Sequence, residues 1–153
     1  MGLEGCLGED SSSVYKIERK IMFLNRLSSE EKVAFLELAH YVARSDNDFS
    51  EGEKGIIDKY CMEMQIENIE FDPDLFDIYN TLDKIQSNGS KKIVLLEIMA
   101  LIYSDDFLHE EERKVLEKIL EEFDLNYNLA IVYTEWAKSM LSLYKQGNAL
   151  INL

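Results

Sequence analysis

Apolar residues recur along most of this chain at intervals of three and four, the spacing that lines up one face of an α-helix. No stretch alternates apolar and polar residues for long enough to propose a strand. About seven helices are expected. The first, over 13–26, carries Val14, Ile17, Ile21 and Leu24 on one face. The second opens at Ser28 and Glu31, a capping box in which the hydroxyl takes an orphan backbone N–H and the carboxylate reaches back. From Val33 to Ala43 it is apolar enough to be buried on more than one side. The third opens at a similar pair, Ser50 and Glu53, with Ile56, Ile57, Tyr60, Cys61 and Met64 as its stripe.

The fourth helix is expected from Asp72-Pro73, an N-cap followed by proline at the first helical position. Phe71 and Phe76 are spaced as a hydrophobic staple there, with Leu75, Ile78, Tyr79, Leu82 and Ile85 facing inward. Ser87-Asn88-Gly89-Ser90 breaks the chain. A fifth helix, about 91–104, is the central one by composition, and a sixth, 109–123, shows Val115, Leu116, Ile119, Leu120 and Phe123. The seventh, 126–146, has Leu129, Val132, Tyr133, Trp136, Met140, Leu143 and Tyr144 in its stripe and stops at Gly147. Residues 1–12, small, acidic and serine-rich, read as a flexible tail before a single helical domain over 13–153.

Sliding the chain over itself by 59 positions reveals an internal repeat. Ile56, Ile57, Tyr60, Cys61 and Met64 fall on Val115, Leu116, Ile119, Leu120 and Phe123, and Ser45-Asp46 falls on Ser104-Asp105. Upstream, Phe35, Leu36, Ala39, Val42 and Ala43 fall on Val94, Leu95, Ile98, Leu101 and Ile102. Any two amphipathic helices can be slid into register, but a shared Ser-Asp turn at the same offset marks a duplication. The expected fold is therefore all-α, one compact bundle holding two helix–turn–helix units about a pseudo-twofold axis.

Charge narrows the partners. Asp and Glu number 30 against 16 Lys and Arg, for a net charge of -14. Nucleic acid needs clustered basic residues to displace counterions, so it is excluded as a partner. The same field repels an anionic membrane and favours cations or a basic protein partner. Direct membrane insertion is not expected either. The densest apolar run, Ile93 to Tyr103, is interrupted by Glu97 and falls short of the ~18 residues a span requires. The opening Met1-Gly-Leu-Glu-Gly-Cys6 has neither a basic nor an apolar leader segment. Cys6 and Cys61 are too few for a disulfide framework, and Cys61 lies on an apolar stripe as a reduced core thiol. A cytoplasmic location is the expectation.

The candidate chemistry sits in the two turns. The first gathers Asp46, Asn47, Asp48 and Glu53; the second gathers Asp105, Asp106 and Glu112 beside His109. A hard divalent cation such as calcium wants six to eight oxygens, which such turns supply in part with backbone carbonyls and water. The candidate metal ligands are Asp46, Asp48, Glu53, Asp105, Asp106 and Glu112. The same residues have an ordinary structural use, since Asp forms turns, Ser50 and Glu53 cap a helix, and acids suit helix N-termini. An EF-hand is excluded: counting from Asp46, Glu51 stands where glycine is needed and Ile57 where the bidentate Glu is needed.

Asp46-Asn47-Asp48-Phe49-Ser50-x-x-Glu53 resembles the Asp-Gly-x-apolar-Ser-x-x-Glu turn of the TerB-like, or tellurite resistance, family, and Asp105-Asp106-Phe107-Leu108-His109-x-x-Glu112 resembles it again. The resemblance covers roughly residues 28–145. It implies a seven-helix, all-α domain with an acidic surface, of a kind associated with bacterial stress response and metal-linked membrane complexes. By position, the family's acidic residues correspond to Asp46, Glu53, Asp105 and Glu112. The chain departs from the pattern where Asn47 and Asp106 replace the glycine and His109 replaces the capping serine.

Enzymatic signatures are weak. The glycine-rich phosphate loops and the Gly-x-Ser-x-Gly elbow are missing. His109-Glu110 starts like a zinc-protease motif, but Arg113 stands where the second histidine belongs. Glu37-x-x-His40 with Glu97 offers part of a carboxylate-bridged metal site, lacking the second Glu-x-x-His pair; Glu97 is equally readable as an exposed sliver of its helix. The expectation is a non-enzymatic binding or scaffold domain, with a divalent cation at the turns or a basic partner without metal.

Overall fold

The computed structural model describes residues 23–47, 49–105 and 107–153. Among them the elements are helical: a 3-10 turn at Leu24–Arg26, then α1 Ser29–Arg44, α2 Glu51–Met64, α3 Ile78–Asp83, α4 Asn88–Ile102, a 3-10 turn at Tyr103–Asp105, α5 Glu110–Phe123 and α6 Tyr127–Ile151. The all-α expectation holds, with six α-helices among the described residues. The helix expected over 13–26 lies mostly outside them, as do the tail at 1–12 and Cys6.

Local signals set the starts. Ser28 and Glu31 form the expected capping box, the Glu31 N–H donating to Ser28 Oγ at 3.2 Å and the Ser28 N–H to Glu31 Oε1 at 2.9 Å. Ser50 Oγ accepts the Glu53 N–H at 3.2 Å, and Ser87 Oγ accepts the Ser90 N–H at 3.0 Å. That last bond starts α4 three residues earlier than expected, so Asn88-Gly89-Ser90 form its first turn. Each such cap contributes about 1 kcal/mol.

Two further helix boundaries differ from the expectation. Asp72-Pro73 starts a turn rather than a helix, its Asp72 Oδ1 accepting the Asp74 N–H at 2.9 Å. Helix α3 begins only at Ile78, where Asp77 Oδ1 accepts the N–H groups of Tyr79 and Asn80. Ile78, Leu82 and Ile85 are buried as expected, but Leu75 is 83% exposed. The Phe71 and Phe76 rings do meet, 5.4 Å apart, across this turn. Helix α6 continues through Gly147 to Ile151, because one glycine costs only about 1 kcal/mol in a helix. Its contact face is only in part the expected one. Ala130 and Ala137 are buried, with Leu129, Tyr133 and Trp136 partly covered, whereas Val132, Leu143 and Tyr144 are each 61% exposed.

Helix α4 occupies the centre, packed against α1, α5 and α6. Val94, Leu95, Ile98, Met99, Leu101 and Ile102 are buried on it, facing Phe35, Leu36 and Leu38 of α1. The two small alanines of α6 let its backbone approach α4 closely. The 59-residue offset recurs in the boundaries themselves. Ser28 and Ser87 are N-caps, Ser50 and His109 are N-caps, and Gln65 and Asp124 end α2 and α5 with φ of 57° and 51°.

Candidate functional site

The two acidic turns meet. Asp46, at the end of α1, is three residues beyond the last core position of that helix, Ala43. His109 is the N-cap of α5. His109 Nε2 lies 3.8 Å from Asp46 Oδ2, with the Asp46 side chain 17% exposed. Asn47 takes φ of 62°, the left-handed bend that Asn tolerates better than most residues. Arg44 closes the first turn from the inside. Its guanidinium stacks 4.0 Å from the Phe49 ring centroid and donates to His40 Nδ1 at 2.6 Å. Burial lowers the Arg44 pKa, and the neighbouring charge of Glu53 opposes that effect.

Of the six candidate ligands, Asp46 is thus brought to the partner turn. Glu53 occupies the first turn of α2 near Arg44. Glu112 is 5% exposed, with Oε2 accepting the His109 N–H at 3.0 Å. Asp48 and Asp106 lie outside the described residues, and Asp105 is described in its backbone only, within the 3-10 turn. Among the described residues, no three His, Cys, Asp or Glu side chains gather closely enough to hold an ion.

The alternative set of Glu37, His40 and Glu97 is divided among three neighbourhoods. Glu37 Oε2 accepts from Thr81 Oγ1 at 3.0 Å and pairs with Lys84 at 3.5 Å. His40 is 4% exposed, bonded through Nε2 to Asn68 Oδ1 at 2.7 Å and stacked on Phe71 at 5.7 Å. With Arg44 donating to Nδ1, His40 is neutral with its proton on Nε2. Burial first, and Arg44 second among the lowering causes, hold its pKa below the ordinary value.

The segment joining α2 to α3 shapes a cleft of about 350 Å³. Phe71 and Phe76 contribute rings, Phe76 stacking on Tyr41 at 4.5 Å. Glu37, Glu70, Asp72 and Asp77 line it with Lys84 as the cation, and the exposed Leu75 stands at its edge. In the sequence, these residues looked like the start of a helix. A second cleft of about 500 Å³, between the end of α1 and α5, mixes Arg44, Lys114 and Lys118 with Glu111, Glu117 and Glu121.

Sequence reasoning missed a pair of carboxylates, Glu97 buried and Glu63 partly buried. Glu97 of α4 is 4% exposed, neither an exposed sliver of its helix nor joined to Glu37 and His40. It stands beside Glu63 of α2, and the two grip consecutive peptide groups of the entry turn. Leu24 N–H donates to Glu63 Oε1 at 3.0 Å, and the Phe23 N–H to the Glu97 carboxylate. Glu63 Oε2 is buried without a hydrogen bond among the described residues. Tyr60, fully buried, donates its hydroxyl to the Glu97 backbone oxygen at 2.9 Å. Desolvation above all raises both carboxylates to about 7, with the charge of Glu63 adding to the effect on Glu97. The available signal was Glu63 standing between Cys61 and Met64 on a buried stripe.

No family model, curated protein or solved structure matches the chain. Among the described residues no helix is long and apolar enough to cross a membrane.

Proposed function

We propose that this chain is a non-enzymatic binding domain of TerB-like architecture, its two helix–turn–helix units related by a pseudo-twofold axis, that receives a basic protein segment. One observation carries the reading: a 350 Å³ cleft combines aromatic and aliphatic walls with Glu37, Glu70, Asp72 and Asp77. A Lys- or Arg-bearing segment fits that chemistry, its stem lying against Phe71 and Phe76 and its charge meeting the rim acids. A surplus of acid over the whole chain speeds the encounter and makes it sensitive to salt.

The test is titration with a lysine-rich amphipathic peptide. Glu70→Gln with Asp72→Asn weakens binding several-fold, leaves the α3 cap at Asp77 intact, and reduces the salt dependence. Equal affinity for both proteins across salt concentrations removes the cleft from consideration.

A second reading is supported by the convergence of the turns. Asp46 and His109 come from different units yet lie 3.8 Å apart, so a divalent cation such as calcium held there would join them. Calcium at a hundred times its dissociation constant adds ~2.7 kcal/mol. That raises the melting point of metal-stripped protein by roughly 5–10 °C at this size. The shift disappears in Asp46→Asn with Asp105→Asn; a melting point indifferent to divalent ions rejects this reading. The stress-associated membrane complex implied by the family resemblance would be the setting for either partner.

A further inference from the structure

Glu63 and Glu97 have no counterpart in the other half of the repeat. The positions 59 residues away are Glu122, which is exposed, and Leu38, which is core. A partly buried carboxylate beside a buried one therefore does not follow from the architecture. Their contacts show a specific use, since both face the short turn at Phe23–Arg26, and each accepts one of two consecutive backbone N–H groups.

We propose that Glu63 and Glu97 form a proton-controlled clamp on the entry turn at Phe23–Leu24, closed while the pair retains a proton and opened when both carboxylates are charged. Two like charges side by side in a desolvated setting repel strongly, and a shared proton removes the repulsion. A protonated carboxyl still accepts a peptide N–H through its carbonyl oxygen, so the grip survives protonation. Loss of the proton favours any arrangement that brings water to the carboxylates, and the entry turn, three residues long and held to them by two N–H groups, is the shortest element on them.

Among the described residues, the groups around the pair offer no compensating cation. From α2 the Tyr60 hydroxyl points to the Glu97 backbone, and its own ionisation is pushed well up by burial and by both glutamates. From α1, Lys32 is committed to the Met64 carbonyl at 3.1 Å. From the entry turn, the Arg26 guanidinium sits 5.3 Å over the Phe23 ring. From α6, Trp136 meets the Phe23 ring at 6.1 Å. The two carboxylates rise to about 7, which sets the clamp at neutral pH.

Trp136 is the single tryptophan of the chain, so its emission reports the position of Phe23. In the full-length protein we expect a fluorescence transition centred near pH 7. Corrected for intrinsic rates, amide exchange at Phe23 and Leu24 should speed up about tenfold per carboxylate between pH 6 and 8. Glu63→Gln with Glu97→Gln keeps the hydrogen-bond acceptors and removes the charges, so both signals become flat over pH 5–9. A wild-type protein without the transition, or a double variant that retains it, overturns the clamp. Where the variant does not fold, side-chain carboxyl NMR of the wild type decides: ordinary titration of both groups near 4.5 overturns it, and titration of both near 7 supports it.

Discussion

Single residues here carry opposite responses to pH. For Glu63 and Glu97 the folded-state values lie above the unfolded ones, so their stabilisation is complete below about 4.5 and is lost as pH rises through about 7. For His40 the folded value is depressed. Its contribution is complete above about 6.5 and is lost as pH falls through the folded value. Just below about pH 6.5 the two effects oppose each other, and above it only the glutamates act. Urea melts should therefore show stability declining from pH 6.5 to 7.5, with the decline gone in Glu63→Gln/Glu97→Gln; a rising slope there would contradict the assignment. Replacing His40 by Ala leaves Asn68 and Arg44 without their ring partner and should cost about 2–3 kcal/mol, measured as a fall in the urea midpoint at pH 7.

At the scale of elements, the ends of α2 and α5 hold removable strain. Gln65 and Asp124 both adopt the left-handed conformation, which costs a residue with a Cβ about 1–2 kcal/mol. Glycine at either site is expected to gain ~0.5–1 kcal/mol after its own chain entropy is counted, and the two gains should add because the backbone cap at each site bonds within its own helix. A thermal melt unchanged or lowered by Gln65→Gly or Asp124→Gly would count against this.

Much of the element pattern was legible in the chain. Ser28, Ser50 and the stripes they precede gave α1 and α2, and the 59-residue offset gave α4 and α5 with their turns. The failures share a cause. Asp72-Pro73 has the chemistry of a helix start, but also that of a turn, and local sequence does not distinguish them when tertiary contacts of Phe71 and Phe76 decide. On α6 the large apolar side chains drew attention to Val132 and Leu143, while close packing against α4 uses Ala130 and Ala137. Periodicity registers hydrophobicity rather than the fit between backbones. The cleft and the Glu63–Glu97 pair were hidden for a related reason: how far a polar residue is covered depends on neighbours distant in sequence. The sequence places Asp46 and His109 in two separate turns, but that the two lie 3.8 Å apart needed three dimensions.

Considered whole, the molecule couples a strongly acidic surface to a long helix that leaves Val132, Leu143, Tyr144, Leu150 and Ile151 uncovered. The isoelectric point is near 4.5 and the net charge -14 at neutral pH. Repulsion between copies at pH 7 opposes contact between those side chains. As the pH approaches 4.5 that repulsion vanishes while the oily strip persists, so colloidal stability should fail first there. Light scattering would detect clusters before circular dichroism detects any loss of helix, and swapping Leu143 and Leu150 for lysine would postpone their appearance.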